Sequence, residues 1–257
     1  MSIELITIAM IGSLLLLLVI GMPMAFALGF VAVGFAYAFF GWGALQLISS
    51  RIYGFVSVYV LIAVPMFLLM ATIMDRSGVA RDLYDAMSVW AGGLPGGVAL
   101  MTLVAAVFMA ATTGIIGGEI ILLGLVALPQ MLRLGYDRNL AIGTICAGGS
   151  LGTMIPPSIV LIFYGLTANV SIGALFIAVI VPGLLLAGLY LVYIMIRCAL
   201  DPGLGPPLPR AERDIPLRAK IGLLKGLILP MGIAFGVLGA IYAGIAAVAE
   251  AAAVGVA

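Results

Sequence analysis

No charged residue falls between Glu4 and Arg51, or between Asn139 and Ile196, and both stretches are almost wholly apolar. A helix that crosses a bilayer needs ~20 predominantly apolar residues, so each stretch has room for two crossings. Gly21-Met22-Pro23 is the natural turn within the first, which predicts helices over 5–20 and 23–40. A third is predicted over 55–74, kinked at Pro65. Residues 75–90 follow another pattern. Asp75, Arg76, Arg81, Asp82 and Asp85 alternate with Val79, Leu83, Met87 and Trp90, and the apolar set recurs every three or four positions. Such a stripe predicts an amphipathic arm lying at the membrane interface.

After the turn Gly92-Gly93-Leu94-Pro95-Gly96-Gly97 come two apolar pieces, 98–111 and 120–132, each short of a full span. Between them lies Thr112-Thr113-Gly114-Ile115-Ile116-Gly117-Gly118-Glu119. Two half-length helices joined by a Gly/Thr tip predict a re-entrant hairpin that enters and leaves on the same side. The alternative, one long kinked helix, would carry three glycines and a glutamate at its centre, at a cost in helix propensity and buried charge. Further on, Gly148-Gly149-Ser150-Leu151-Gly152-Thr153-Met154-Ile155-Pro156-Pro157-Ser158 interrupts the second uncharged run. Tandem prolines remove two donors and bar a helix. Residues 140–153 and 159–167 are therefore expected to be two halves of one broken span.

A full span is predicted over 174–196. Residues 197–225 hold six basic and three acidic side chains with five prolines, a polar loop that the excess of Arg and Lys places in the cytoplasm. The base of the hairpin, with Arg133 and Arg138, falls on the same side, and the N-terminus faces outward. Another helix is expected over 221–241. The chain thus divides into N-terminal helices and arm (1–92), a segment holding the hairpin and the broken helix (93–168), a helix with its loop (169–216) and a last, helix-forming segment (217–257). The apolar run from Ala251 to the last residue, Ala257, with no polar exit, makes a longer parent protein the expectation.

The composition agrees: 65% of the 257 residues are hydrophobic and 8% charged, against about 25% charged in soluble domains. The expected class is an all-α polytopic membrane protein embedded in a lipid bilayer. Eleven basic against ten acidic residues make nucleic acid an unsuitable partner. Histidine is absent, which removes His-based catalysis and His metal sites. Cys146 and Cys198 have no metal-binding spacing and read as small core residues; Trp42 and Trp90 read as interface anchors.

In hydrocarbon, irregular backbone survives only where it is buried in protein or lines a wet cavity. The two breaks are therefore the candidate site, and their candidate substrate- or ion-binding residues are Thr112, Thr113, Gly114, Gly117, Glu119, Ser150, Gly152, Thr153, Pro156, Pro157 and Ser158. Glu119, the only acid in the apolar half-helices, could bind a cation, relay a proton or cap the second half-helix at its positive end. Hydroxyls and freed carbonyls suit a hard cation such as sodium, with Thr113, Gly114, Ser150 and Gly152 as the candidate ligands. The competing expectation is that each hydroxyl bonds back to its own helix.

Several stretches resemble one family. Gly21-Met22-Pro23-Met24-Ala25-Phe26-Ala27-Leu28-Gly29, Ala63-Val64-Pro65-Met66-Phe67, Met74-Asp75-Arg76-Ser77-Gly78-Val79-Ala80, Ile155-Pro156-Pro157-Ser158-Ile159 with Tyr164-Gly165, Val170-Ser171-Ile172-Gly173-Ala174-Leu175-Phe176 and Val181-Pro182-Gly183 are similar, in order, to the large membrane subunit of the tripartite ATP-independent periplasmic (TRAP) transporters. The chain departs from that pattern at Ala247, Val248 and Ala249, where the family tends to carry Thr-Pro-Thr, and its hairpin tip lacks the family's Ser-Gly-Ser form. The resemblance implies an elevator-type secondary transporter in the bacterial inner membrane, built from inverted repeats; this chain would hold the first, with a transport-type core at 93–168, and the start of the second at 217–257. It further implies sodium as coupling ion with no other cofactor, a small organic anion delivered by a periplasmic solute-binding protein, and a small four-helix membrane subunit as partner. The alternatives are a sodium-coupled anion carrier that needs no binding protein, and a passive channel. An intramembrane enzyme built on Glu119 is disfavoured, because no second acid or other base stands near it.

Overall fold

The computed structural model describes residues 2–78, 83–84, 86–87, 90, 93–114, 116–209, 216, 220, 222 and 224–256, without the side chains of Asp75, Thr113, Ile116 and Leu224. The described residues are helices and turns, and they fall into two compact units, Met1–Val58 and Tyr59–Ala257.

The first unit holds α1 (Ile3–Val19), α2 (Met24–Phe40) and α3 (Trp42–Val56). Ser2 accepts from the Leu5 amide to start α1, and Gly21, with φ 90°, turns the chain toward Pro23 and α2. The third helix was not expected. Gly41, at φ 68°, ends α2 and starts α3 in one residue. The segment anticipated as one span over 55–74 is two elements. α3 stops at Val56, and a 3-10 turn (Tyr59–Ile62) leads into α4 (Ala63–Arg76). Pro65 makes no kink, because it sits in the first turn of α4, where a missing N–H costs nothing.

Of the amphipathic arm, Val79, Arg81, Asp82 and Asp85 lie outside the described residues; Leu83, Tyr84 and Ala86 are buried, so the described part of its apolar stripe packs into protein. Next come α5 (Gly97–Thr113) and α6 (Ile116–Arg133). The helices are longer than the expected half-spans and the tip is correspondingly shorter. They do form a hairpin. Leu103 of α5 and Leu123 of α6 both pack on Gly148, whereas in one continuous helix they would stand about 30 Å apart. At the base, the Val98 amide donates to the Tyr136 hydroxyl at 3.1 Å, so the two ends meet as well. Burial holds that phenol protonated, pushing its pKa up to about 12.

α7 (Arg138–Ser150) starts on the Asp137 carboxylate, which accepts from the Asn139 and Leu140 amides. A 3-10 turn (Leu151–Thr153) and an irregular stretch lead to α8 (Ile159–Ala168), so this span is broken where expected. α9 (Ile172–Leu200) is 29 residues long, and it and the segment Lys225–Tyr242 are long and apolar enough to cross a membrane. A 3-10 turn (Leu224–Leu227) leads into α10 (Ile228–Tyr242); of the start of the helix expected over 221–241, Ile221 and Leu223 lie outside the described residues. α11 (Val248–Val256) follows, capped by Glu250, whose carboxylate accepts from the Ala247 amide at 2.8 Å.

The second unit has two cores. Leu103, Ala106, Leu123, Ile145 and Leu151 fill one, inside the hairpin and broken helix; Phe67, Met70, Ile162, Phe176 and Val237 fill the other, between α4, α8, α9, α10 and α11. A strap after α9 ties both hairpin ends: the Gly96 amide donates to Gly205 O at 2.7 Å, and the Asp137 amide to Leu204 O at 2.9 Å. Cys198 lies buried beneath it, against Gly96 and Gly205. Cys146 is exposed, so only one of the two cysteines is a core residue.

A topological test follows. Gly96 and Gly135 have positive φ, and a Cβ at Gly96 would collide with Cys198, so labels belong at exposed Leu94 and Arg138. With Cys146 and Cys198 replaced, Leu94→Cys and Arg138→Cys should both react with an impermeant maleimide from the cytoplasmic side alone. Labelling from opposite sides would turn the hairpin into a crossing.

Candidate functional site

Both chain breaks sit where backbone closes on backbone. α5 ends at Gly114, in the left-handed region at φ 62°, whose amide donates to Ala110 O at 3.2 Å. Only glycine fits there. A Cβ would run into the Pro157 carbonyl oxygen and stand 3.5 Å from Ser158 Cα, besides the strain of a side chain at positive φ. The hairpin tip therefore rests directly on the break in the α7–α8 span.

Three contacts extend this seam. Glu119, expected in the tip, lies in the first turn of α6 and is wholly buried. The position suits a carboxylate, because a helix N-terminus carries partial positive charge. A Cβ on Gly152 would stand 3.0 Å from both Glu119 carboxylate oxygens, so the missing side chain is what lets the acid approach the 3-10 turn. Ile120 fills the space beside Gly149, and Ala106 that beside Gly148. Four glycines of two breaks thus make one face.

On the other side of the break, the amides of Met154 and Ile155 both reach Leu151 O, at 2.9 and 2.8 Å. Pro156 and Pro157 are buried and offer no N–H. Ser158 is extended at φ −127° and precedes α8 as its N-cap residue, yet makes no side-chain cap bond. Its hydroxyl is buried with no hydrogen-bond partner among the described residues. Gly183 of α9, beside Pro182, allows the Met154 carbonyl to approach; a Cβ there would stand 2.8 Å from that oxygen.

The sequence-derived candidates divide accordingly. Gly114, Pro157 and Ser158 come together, as do Glu119 and Gly152. Thr112, Ser150 and Thr153 donate to their own backbone, at Met109 O (2.8 Å), Ala147 O (2.7 Å) and Ser150 O (3.0 Å). Each spends its hydrogen locally and keeps oxygen lone pairs. Thr113 closes α5. Gly117 is exposed with nothing near its Cα hydrogens, and so stands apart from the seam. Gly183 and Ile120 were not singled out from sequence; Val181-Pro182-Gly183 was the available signal for the first, and nothing flagged the second.

The seam gathers two helix C-termini (α5 and α7), two N-termini (α6 and α8), a buried acid and several oxygen donors. Helix C-termini favour cations and N-termini favour anions, so the seam brings helix ends of both signs together.

Residues 11–257 match the family described as tripartite ATP-independent periplasmic transporter, DctM component, and the chain belongs to it. Among its relatives, the C4-dicarboxylate TRAP transporter large permease protein DctM of Vibrio cholerae is 34% identical over 254 residues, covering 99% of this chain and 54% of that protein. The protein of the same name from Pseudomonas aeruginosa is 39% identical over 196 residues, 76% of this chain and 44% of that protein. The ectoine TRAP transporter large permease protein TeaC of Halomonas elongata is 32% identical over 248 residues, 96% and 57% respectively. The chain spans about half the length of these curated relatives. They are named as transporter permeases rather than enzymes.

The seam predicts a graded response to added methyl groups. Gly152→Ala should overpack Glu119 and cost about 1–3 kcal/mol, while Gly117→Ala, on an open helical position, should be neutral or stabilising by up to about 1 kcal/mol. Thermal unfolding of the purified variants in detergent checks the ordering; equal midpoints would show that Gly152 is not packed against the acid.

Proposed function

We propose that the chain works within the large membrane subunit of a sodium-coupled importer of a small organic anion, in the bacterial inner membrane. A periplasmic solute-binding protein delivers the anion, and a small four-helix membrane subunit braces the permease. The observation that carries this reading is the seam between hairpin tip and helix break. Ser158, buried without a hydrogen-bond partner, marks a place where a ligand would be welcome, since an unsatisfied buried polar atom costs about 1–3 kcal/mol. The polar side chains described at the two breaks end in oxygen atoms, which suit a hard cation such as sodium. Thr113, Gly114, Ser150 and Gly152 stand at the same two helix ends and remain the proposed ligand set, through lone pairs and backbone carbonyls. When bound, sodium would supply positive charge to the seam and tie the two broken elements together; the N-termini of α6 and α8 would face the anion. Relatives named for C4-dicarboxylate transport support a carboxylate substrate.

In the complete transporter, Ser150→Ala or Ser158→Ala should raise the sodium concentration for half-maximal uptake about tenfold, the scale of ~1–2 kcal/mol for a lost ligand, with little change in expression. Uptake that is independent of sodium in the unmodified transporter would refute the coupling ion. A sodium curve unmoved in both variants would show that these breaks are hinges only.

A further inference from the structure

Away from the seam, a groove of about 720 Å³ runs between α7 and α9. Its mouth, at the hairpin base, holds Asp137 and Arg197 beside Leu204 of the strap; its far end lies at Ala147 and Leu186. Ten residues of α7 separate Asp137 from Ala147, and eleven of α9 separate Leu186 from Arg197. At 1.5 Å per residue the groove is therefore about 15 Å long, half of the ~30 Å hydrocarbon thickness. It thus has the depth of one leaflet, with both charges at one end and, beyond them, a largely apolar interior that also includes Thr144 and Tyr190.

The mouth is chemically specific. Arg197 is exposed in the last turn of α9, and among the described residues it makes no ion pair. Asp137 caps α7 through Oδ1 alone, which leaves Oδ2 for another donor. One unpaired guanidinium and one carboxylate oxygen complement a headgroup that itself carries one phosphate and one primary ammonium. Arg holds a phosphate through several N–H donors, and a primary ammonium can donate to Asp137 where a quaternary one cannot. A purely anionic headgroup would leave the carboxylate opposed by like charge. We infer that this groove binds one phosphatidylethanolamine of the leaflet on the hairpin-base side, with phosphate at Arg197, ammonium at Asp137 and an acyl chain along Leu186 and Leu189. Such a lipid would fill the wall of the broken helix opposite the seam. The inference does not depend on sodium coupling.

The test is native mass spectrometry of the protein purified in mild detergent, delipidated, and incubated with phosphatidylethanolamine, phosphatidylglycerol or phosphatidylcholine. The unmodified protein should keep one phosphatidylethanolamine through washing that strips the other two lipids. Arg197→Gln should lower that retention about tenfold, and so should Leu186→Trp, which fills the groove without touching its charges; Arg51→Gln, in the other unit, should not. Asp137→Asn preserves the helix cap and should shift preference toward phosphatidylglycerol. Size-exclusion profiles confirm that each variant is folded. Retention unchanged in both Arg197→Gln and Leu186→Trp overturns the site, as does a retained lipid with no headgroup preference. So does a loss of thermal stability in Leu186→Trp with bound lipid unaltered, because a protein segment would then occupy the groove.

Discussion

Gly114 lies against the Pro157 carbonyl, and the rest of the second unit is arranged so that this contact can exist. Two helices stop inside an apolar interior, where water is not available to satisfy what their ends leave open. The only substitute is other protein, brought close. Closeness requires that one chain carry no Cβ at each crossing, and glycine at 114, 148, 149 and 152 meets that condition, against the Pro157 carbonyl and the side chains of Ala106, Ile120 and Glu119 respectively. The strap at Leu204 and Gly205 then fixes both ends of the hairpin at its base. The hairpin and the first half of the broken helix share one core, while α8, beyond the break, packs into the second core. The break is the junction of the two cores.

Under the proposed function that junction has a purpose. A carrier must hold its cargo where the membrane would otherwise seal, and broken helices supply charge-bearing helix ends at that depth. Glu119 illustrates how the scaffold serves the site. Its burial would be costly for an isolated acid, but the first turn of α6 surrounds it with partial positive charge, and Gly152 lets it face the 3-10 turn.

Much of this was legible in the chain. Uncharged runs and the Gly-Met-Pro turn located α1, α2 and α9, and the tandem prolines located the break to within a residue or two. The hairpin followed from a Gly/Thr tip between two short apolar pieces. What escaped has physical reasons. α3 was missed because Gln46, Ser49, Ser50 and Arg51 lower its hydropathy, and counting apolar residues does not detect a helix of mixed composition. Pro65 was read as a kink because sequence alone does not show whether a proline stands in a first turn or an interior one. The hairpin helices run longer than expected because Thr113 and Gly117 are tolerated inside helix ends. Hydroxyls that looked like ligands divided in the structure: Thr112, Ser150 and Thr153 turned to their own carbonyls, and Ser158 did not. Its extended backbone before α8 decides that, and no pattern of residue types encodes it.

If hairpin and broken helix form one rigid seam, a disulfide across it leaves transport intact. A Cβ at Gly149 would stand 3.4 Å from Ile120 Cβ, close to the span of a disulfide, ~3.5–4.5 Å. In the complete transporter, with Cys146 and Cys198 replaced, Ile120→Cys combined with Gly149→Cys should cross-link on mild oxidation in native membranes, and uptake should continue with the bond in place. No cross-link, or a cross-link that stops uptake until it is reduced, would mean that the two elements part during transport.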